Sequence, residues 1–282
     1  MKRVLITGAH GQLGRCLRDA SERFVDFECT FVTKEQLDIC ASESLSAYFK
    51  KYTFDYCINT AAYTHVEKAE AETKEAFSIN AEAVATLSEV CKINQVVLLH
   101  ISTDYVFDGT KRSPYLETDS TSPVNVYGAS KLKGEQQIAE ILEEHYIIRT
   151  SWLYSQYRKN FYTSMLRFAE EKRELSITTA ETGTPTNAND LAEICFQMLQ
   201  KNPKYGIYNF SNTGEATWYD FAAAIFKYHG ISSSVSLHKT DFFKTEAKRP
   251  AYSVLNTHKI SQALSININN WEESLKALIE KV

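Results

Sequence analysis

The sequence predicts a doubly wound parallel α/β sheet of the Rossmann type, with a smaller α/β lobe. Three observations carry this. A short β-branched run, Val4-Leu5-Ile6-Thr7, meets glycine at once. Apolar runs of strand length then alternate with helix-period segments as far as about Thr150. Beyond it the alternation loosens, and shorter strands are scattered among helices. Strands linked through helices form parallel sheets, because a parallel neighbour is reached only by a crossover, which the helix supplies.

Val4–Thr7 reads as a buried first strand, since it carries no polar alternation. Helical character runs from Gln12 to about Arg23, and Phe27–Thr33 is the second strand. Ser42–Lys51 is amphipathic, with Leu45, Tyr48 and Phe49 at helical spacing. Asp55–Asn59 is the third strand. One long helix is expected over Ala76–Asn94, then a wholly apolar fourth strand over Val96–Ile101. Asn125 to about Glu143 is helical, and Tyr146–Ile148 is the fifth strand. Later helices are expected at Asn160–Glu171, Asn189–Lys201, Thr217–Tyr228 and from about Asn270. Asn189 and Thr217 are N-cap candidates, and Thr217 with Asp220 forms a capping box. Short strands are expected at Leu175–Thr178, Ile207–Phe210 and Val235–Leu237.

The 282 residues, 44% hydrophobic and 23% charged, suffice for a sizeable core. A net charge of −4 without a basic stripe argues against nucleic acid as a partner. No run approaches ~18 apolar residues, and the N-terminal apolar run is too short for a secretory signal. A cytoplasmic protein with no membrane partner is expected. Cys16, Cys29, Cys40, Cys57, Cys91 and Cys195 form no C-x-x-C pair and no zinc-like spacing with histidine, so they read as reduced thiols.

Chemistry begins at Thr7-Gly8-Ala9-His10-Gly11-Gln12-Leu13-Gly14, which follows the first strand and opens the first helix. Gly8 permits a tight turn, Gly11 lets backbone approach a pyrophosphate, and Gly14 lets helix pack closely on strand. The spacing is G-x-x-G-x-x-G, and a bare strand-to-helix turn would look alike. Position after an N-terminal strand favours a dinucleotide site. No acid stands at the tip of the second strand to bind the ribose hydroxyls of NAD, whereas Arg15 and Lys34 suit a 2′-phosphate. NADPH is therefore favoured, with NADH also admissible. The expected division is a dinucleotide-binding domain over residues 1–150. Residues 151–282 form mainly a substrate lobe, with some segments returning to the first domain.

Tyr127 and Lys131 stand i, i+4 on a predicted helix and so share one face. A tyrosine of ordinary pKa, about 10, is too weak an acid at neutral pH, and a nearby ammonium is expected to lower it. Tyr127 would then protonate the alkoxide formed when hydride reaches a carbonyl. Ser102-Thr103 ends the fourth strand, at the edge where such sheets bind ligands. Spacing alone equally suits a surface contact for the pair and a strand-end turn for Thr103.

The motifs TGAHGQLG, NTAAYTHVEKAE, STDYVFDGT, ETDSTSPVNVYGASKLKGE, RTSWLY, GTPTNANDLA and KRPAYSVLNT span nearly the whole chain. Together they resemble the dTDP-4-dehydrorhamnose reductases, a family of the extended short-chain dehydrogenases. The resemblance implies NAD(P)H-dependent reduction of the 4-keto group of dTDP-4-dehydro-6-deoxy-L-mannose, the last step towards dTDP-L-rhamnose. It implies Thr103, Tyr127 and Lys131 as catalytic residues. Gly11, Gln12 and Leu13 match the pyrophosphate loop, with Asp38 and Ile39 on the adenine side and Ala62, Tyr63 and Thr64 beside the ribose. Val66, Thr103, Asp104 and Trp152 match sugar contacts, and Arg249 suits the nucleotide pyrophosphate.

One departure concerns magnesium. Some family members are bridged as dimers by magnesium through two glutamates, and the matching positions here hold Cys16 and Asn189, poor ligands for a hard cation. No magnesium is expected, and a homodimer stays open. Two other readings remain at this point. One is a nucleotide-sugar epimerase or dehydratase of the same superfamily, which recycles a tightly held NAD. The other is a non-catalytic subunit, like the regulatory subunit of methionine adenosyltransferase.

Overall fold

The computed structural model of the chain describes residues 1–172 and 174–281. Its first half runs β1 (Lys2–Thr7), α1 (Gln12–Ser21), β2 (Phe27–Val32), α2 (Ser42–Lys51), β3 (Tyr56–Asn59), α3 (Val66–Ala71) and α4 (Thr73–Phe77). A π-helical turn at Ser78–Glu82 leads into α5 (Ala83–Ile93). There follow β4 (Val97–Thr103), a 3₁₀ turn at Asp104–Val106, α6 (Val126–Ile141) and β5 (His145–Thr150). The second half holds β6 (Leu153–Tyr154), α7 (Phe161–Glu170), β7 (Leu175–Thr178), β8 (Thr182–Gly183), β9 (Thr186–Asn187) and α8 (Ala188–Lys201). It closes with β10 (Gly206–Asn209), β11 (Ala216–Thr217), α9 (Trp218–Tyr228), β12 (Leu237–Thr240), α10 (His258–Leu264) and α11 (Trp271–Lys281).

Six parallel strands form the main sheet in the order β10-β5-β4-β3-β1-β2. The order reverses at β1, which lies between β3 and β2. Strand connections leave in opposite directions there, so a crevice opens at the carboxyl ends of β1 and β3. The period of two along β1 divides the core. Val4 and Ile6 join Leu17 of α1 and Leu191 and Phe196 of α8 on one face. Leu5 joins Phe49 of α2, Leu87 of α5 and Ile138 of α6 on the other. A further core, built on Tyr162, Phe221, Ile225 and Leu275, joins α7, α9 and α11.

Several expectations need correction. The helix expected over Ala76–Asn94 is interrupted at Ser78–Glu82. There Asn80 gives its side chain to the Tyr63 backbone, accepting from the N–H at 2.9 Å and donating to the carbonyl at 3.0 Å. The N-cap of α8 is Asn187, not Asn189, because the Asn187 side chain accepts the Asn189 N–H at 3.0 Å. The last strand lies at Leu237–Thr240, drawn into register with Leu175–Thr178, while Ser232–Ser234 forms a 3₁₀ turn. The fourth strand is not wholly apolar, since His100 is buried within it. The short α3 and α10 have too few turns to show a period. The Thr217–Asp220 capping box is present as expected. Among the described residues, no helix is long and apolar enough to cross a membrane.

Candidate active site

Gly8, at φ +71°, turns the chain out of β1. A Cβ on Gly14 would meet the Gly8 carbonyl oxygen at 2.4 Å, so glycine there lets α1 start hard against the loop. Both glycines shape the turn from behind. Gly11, the N-cap of α1, makes no side-chain cap, and with Gln12 and Leu13 it borders open space. The first N–H groups of α1 are thus presented to an anion, where the helix dipole also favours negative charge.

That space is a cavity of about 1110 Å³. Gly11, Ala62, Thr64, Val66, Thr103, Asp104, Tyr127, Lys131, Trp152 and Arg249 are among the residues that line it. The predicted loop, catalytic and sugar-side residues therefore line one cavity. Gly8, Gly14, Arg15, Asp38, Ile39 and Tyr63 lie outside it. Ile39 is buried, and Asp38 accepts the Cys40 N–H at 2.9 Å. The Tyr63 ring turns inward, its hydroxyl on Glu72. Arg15 lies over the Tyr157 ring at 5.8 Å, and Lys34 approaches Asp38 at 3.9 Å.

The electrostatics of the pair differ from the expectation. Burial pushes the Tyr127 phenol up to about 12, and a hydrogen bond with Thr103 only partly offsets this. Burial also pulls the Lys131 amine down to about 8, against the opposing charge of Glu135. The reason is placement. Lys131 Nζ donates to the Ile101 carbonyl at 2.6 Å and lies 3.0 Å from His100 Nε2, so its contacts run to β4. Tyr127 therefore rests as a neutral acid, the form needed to give a proton. Asp104 is also buried, which raises its carboxyl to about 7, and its Oδ2 has no hydrogen-bond partner among the described residues.

The cavity is cationic although the chain is acidic. Lys68, Lys131, Arg158, Lys159 and Arg249 line it, against the carboxylates Glu67 and Asp104. Arg249 Nη2 binds Glu67 Oε1 at 2.7 Å, and its buried Nε has no partner among the described residues. Sequence reasoning missed Arg158, Lys159, Trp218 and His100. Arg158 and Lys159 directly precede the N-cap Asn160, a signal that was available. Trp218 stacks on Trp152, a contact between distant segments that local pattern does not encode. At the positions matched to magnesium ligands, Cys16 is buried with its thiol pushed up to about 12, and Asn189 bonds Gln156 at 3.0 Å. Among the described residues, no group of three or more metal-binding side chains occurs.

Comparison with known proteins agrees with this geometry. The family model described as RmlD substrate binding domain matches residues 1–282. A dTDP-4-dehydrorhamnose reductase of Aggregatibacter actinomycetemcomitans is 38% identical over 98% of each chain. One of Sinorhizobium fredii is 36% identical over 98% of this chain and 96% of its own. A crystal structure of dTDP-4-dehydrorhamnose reductase from Bacillus anthracis, in complex with NADP, superposes with TM-score 0.95. It is 33% identical and covers 100% of this chain and 99% of that one. This chain belongs to the RmlD substrate-binding-domain family, the family of the dTDP-4-dehydrorhamnose reductases.

Proposed function

We propose that the protein reduces the 4-keto group of dTDP-4-dehydro-6-deoxy-L-mannose with NADPH, giving dTDP-L-rhamnose. The observation that carries this is the shared cavity, cationic and lined both by an uncapped helix N-terminus and by Thr103, Tyr127 and Lys131. An anionic dinucleotide and an anionic sugar nucleotide both suit such a cavity.

Gly11, Gln12 and Leu13 would hold the pyrophosphate of NADPH, and Lys131 its ribose side. Bound there, NADPH supplies the hydride. The Thr103 hydroxyl orients the C4 oxygen, and the Tyr127 hydroxyl protonates it as charge develops. Lys131 balances the phenolate that Tyr127 becomes. Asp104 and Trp152 position the sugar. Arg249, Arg158 and Lys159 face the diphosphate, and residues 151–282 supply this side while β10 and α8 return to the main sheet and its helical layer. The six free cysteines support a reducing compartment and hence a cytoplasmic location.

The test supplies the keto-sugar nucleotide with NADPH, then NADH, and identifies the product. Consumption of one NADPH per dTDP-L-rhamnose formed is expected. A tightly held NAD recycled without net consumption would make the protein an epimerase or dehydratase. No turnover, with co-purification of a synthetase, would make it a regulatory subunit.

A further inference from the structure

Three neighbouring strands carry polar side chains at one register level below the cavity. Thr7 of β1 pairs with Asn59 of β3, and Asn59 with His100 of β4. All three are buried, as is Lys131 on α6. Their side chains form one line. Thr7 Oγ1 lies 2.6 Å from Asn59 Oδ1, Asn59 Nδ2 lies 3.0 Å from His100 Nδ1, and His100 Nε2 lies 3.0 Å from Lys131 Nζ. The reaction described above uses neither Asn59 nor His100.

Donor counting gives the line a direction. The Ala61 N–H donates to Asn59 Oδ1 at 3.2 Å, and a backbone N–H can only donate. Asn59 therefore keeps its amide oxygen on that side and turns its NH₂ towards His100. His100 Nδ1 must accept. Burial, then the charge of Lys131, holds His100 well below the usual histidine range, so the imidazole is neutral. A neutral imidazole has one donor and one acceptor nitrogen, which assigns the proton to Nε2, facing Lys131. An ammonium cannot accept that proton, whereas an amine can.

We propose that His100 is the positioning residue of Lys131: the proton on its Nε2 favours the uncharged amine over the ammonium at the Lys131 nitrogen, and an anionic ligand reverses that preference. This rests on the reading of Lys131 as the cofactor-side residue. The lowered proton affinity of Lys131 agrees with it, burial being the main cause. Glu135, one turn along α6, acts in the opposite direction and is itself paired with Arg149 of β5. Tyr127 of α6, and Asp104 and Tyr105 beyond β4, are further titratable groups that line the cavity with Lys131. An anionic ligand favours the ammonium, which takes its proton from solvent where the amine was uncharged and turns from His100 towards the ligand.

The test is NADPH binding by titration calorimetry, from below neutrality to about pH 10, where free lysine titrates. Wild-type affinity falls as pH rises through about 8. His100→Gln can offer its amide oxygen to the ammonium, so the midpoint moves up by about one pH unit or more. Asn59→Asp reverses the line from the far end. It accepts the proton on Nδ1, frees Nε2 to accept from the ammonium, and moves the midpoint the same way with His100 intact. That variant carries the test if His100→Gln does not fold. A pH-independent wild-type affinity, or midpoints that coincide in wild type and variant, overturns the proposal. Failure of the wild type to bind NADPH at any pH overturns the reductase reading instead.

Discussion

The indole of Trp152 lies flat on that of Trp218, with centroids 3.7 Å apart and planes 8° from parallel. Trp152 holds φ +44°, a left-handed conformation that a bulky side chain rarely adopts. Trp218 begins α9 within its Thr217–Asp220 capping box, and Phe161 packs beside it at 4.7 Å. Both indoles line the cavity. The capped end of α9 is thus the platform that keeps Trp152 in place on the cavity lining, where the proposed reading puts the sugar.

Trp218→Leu should therefore weaken substrate binding more than it slows chemistry. Stacked aromatic pairs are worth about 0.5–1.5 kcal/mol beyond their area. KM for the sugar nucleotide should rise about 3–10-fold, with kcat changed less than KM, in steady-state assays at saturating NADPH. A fall in kcat at unchanged KM would show that Trp152 does not depend on this platform.

Tyr127→Phe removes the proton donor and keeps the ring that packs at 5.9 Å from Tyr105. Turnover should drop roughly 10²–10⁴-fold, the range for general acid catalysis. NADPH affinity, read by fluorescence titration, should stay near wild type. Near-normal turnover would move the acid role to another group, and the buried Asp104 carboxyl, raised to about 7, would be the first to examine.

Much of this site was legible because it is local. The glycines of the loop lie within a few residues of one another, as do Tyr127 and Lys131, and Thr103 is marked by the end of its own strand, so turn, helix and strand geometry fix direction. What stayed hidden depends on register and distance. His100 sits in an otherwise apolar run, and only its alignment with Asn59 across β3 and β4 brings it under Lys131. Tyr63 lies between two cavity residues, yet Asn80 of the π turn takes its backbone and directs its ring inward. The lowered tyrosine pKa failed for the same reason. Spacing put Lys131 on the face of Tyr127, but it reports neither the burial that raises the phenol nor the β4 contacts that hold the Lys131 nitrogen.

Lys131 should leave a signature in stability. Its folded value of about 8 lies below the 10.5 of an unperturbed lysine. Between these values the unfolded chain holds a proton that the native amine lacks, so stability rises with pH. Below about 8 both states are protonated and the contribution is constant at its least favourable. Wild type should therefore gain stability relative to Lys131→Met as pH rises from about 8 towards 10.5, in urea unfolding at matched salt. From about 10 upward the raised pKa of Tyr127 makes stability fall with pH, but it does so in both proteins and cancels in their difference. A constant difference between the two proteins across the window would mean that Lys131 is not depressed in the native state.

The last prediction concerns Glu135, which holds α6 to the sheet one turn from Lys131. Arg149 Nη2 donates to Glu135 Oε2 at 2.6 Å and Nε to Oε1 at 3.0 Å, while the Ser102 hydroxyl donates to Oε1 at 2.5 Å. Both ionic side chains are 3% exposed. Removing one partner strands a buried charge, which costs about 3–5 kcal/mol, whereas replacing both with apolar groups of similar size is often neutral. Glu135→Gln should lose most of that amount in urea unfolding at neutral pH. Glu135→Met combined with Arg149→Met should recover much of it. The double variant should still have lower turnover, because the Ser102 contact at the end of β4 is gone and Thr103 next to it is less well held. A double variant no more stable than Glu135→Gln would show that the pair itself, and not relief of an unpaired charge, holds α6 in place.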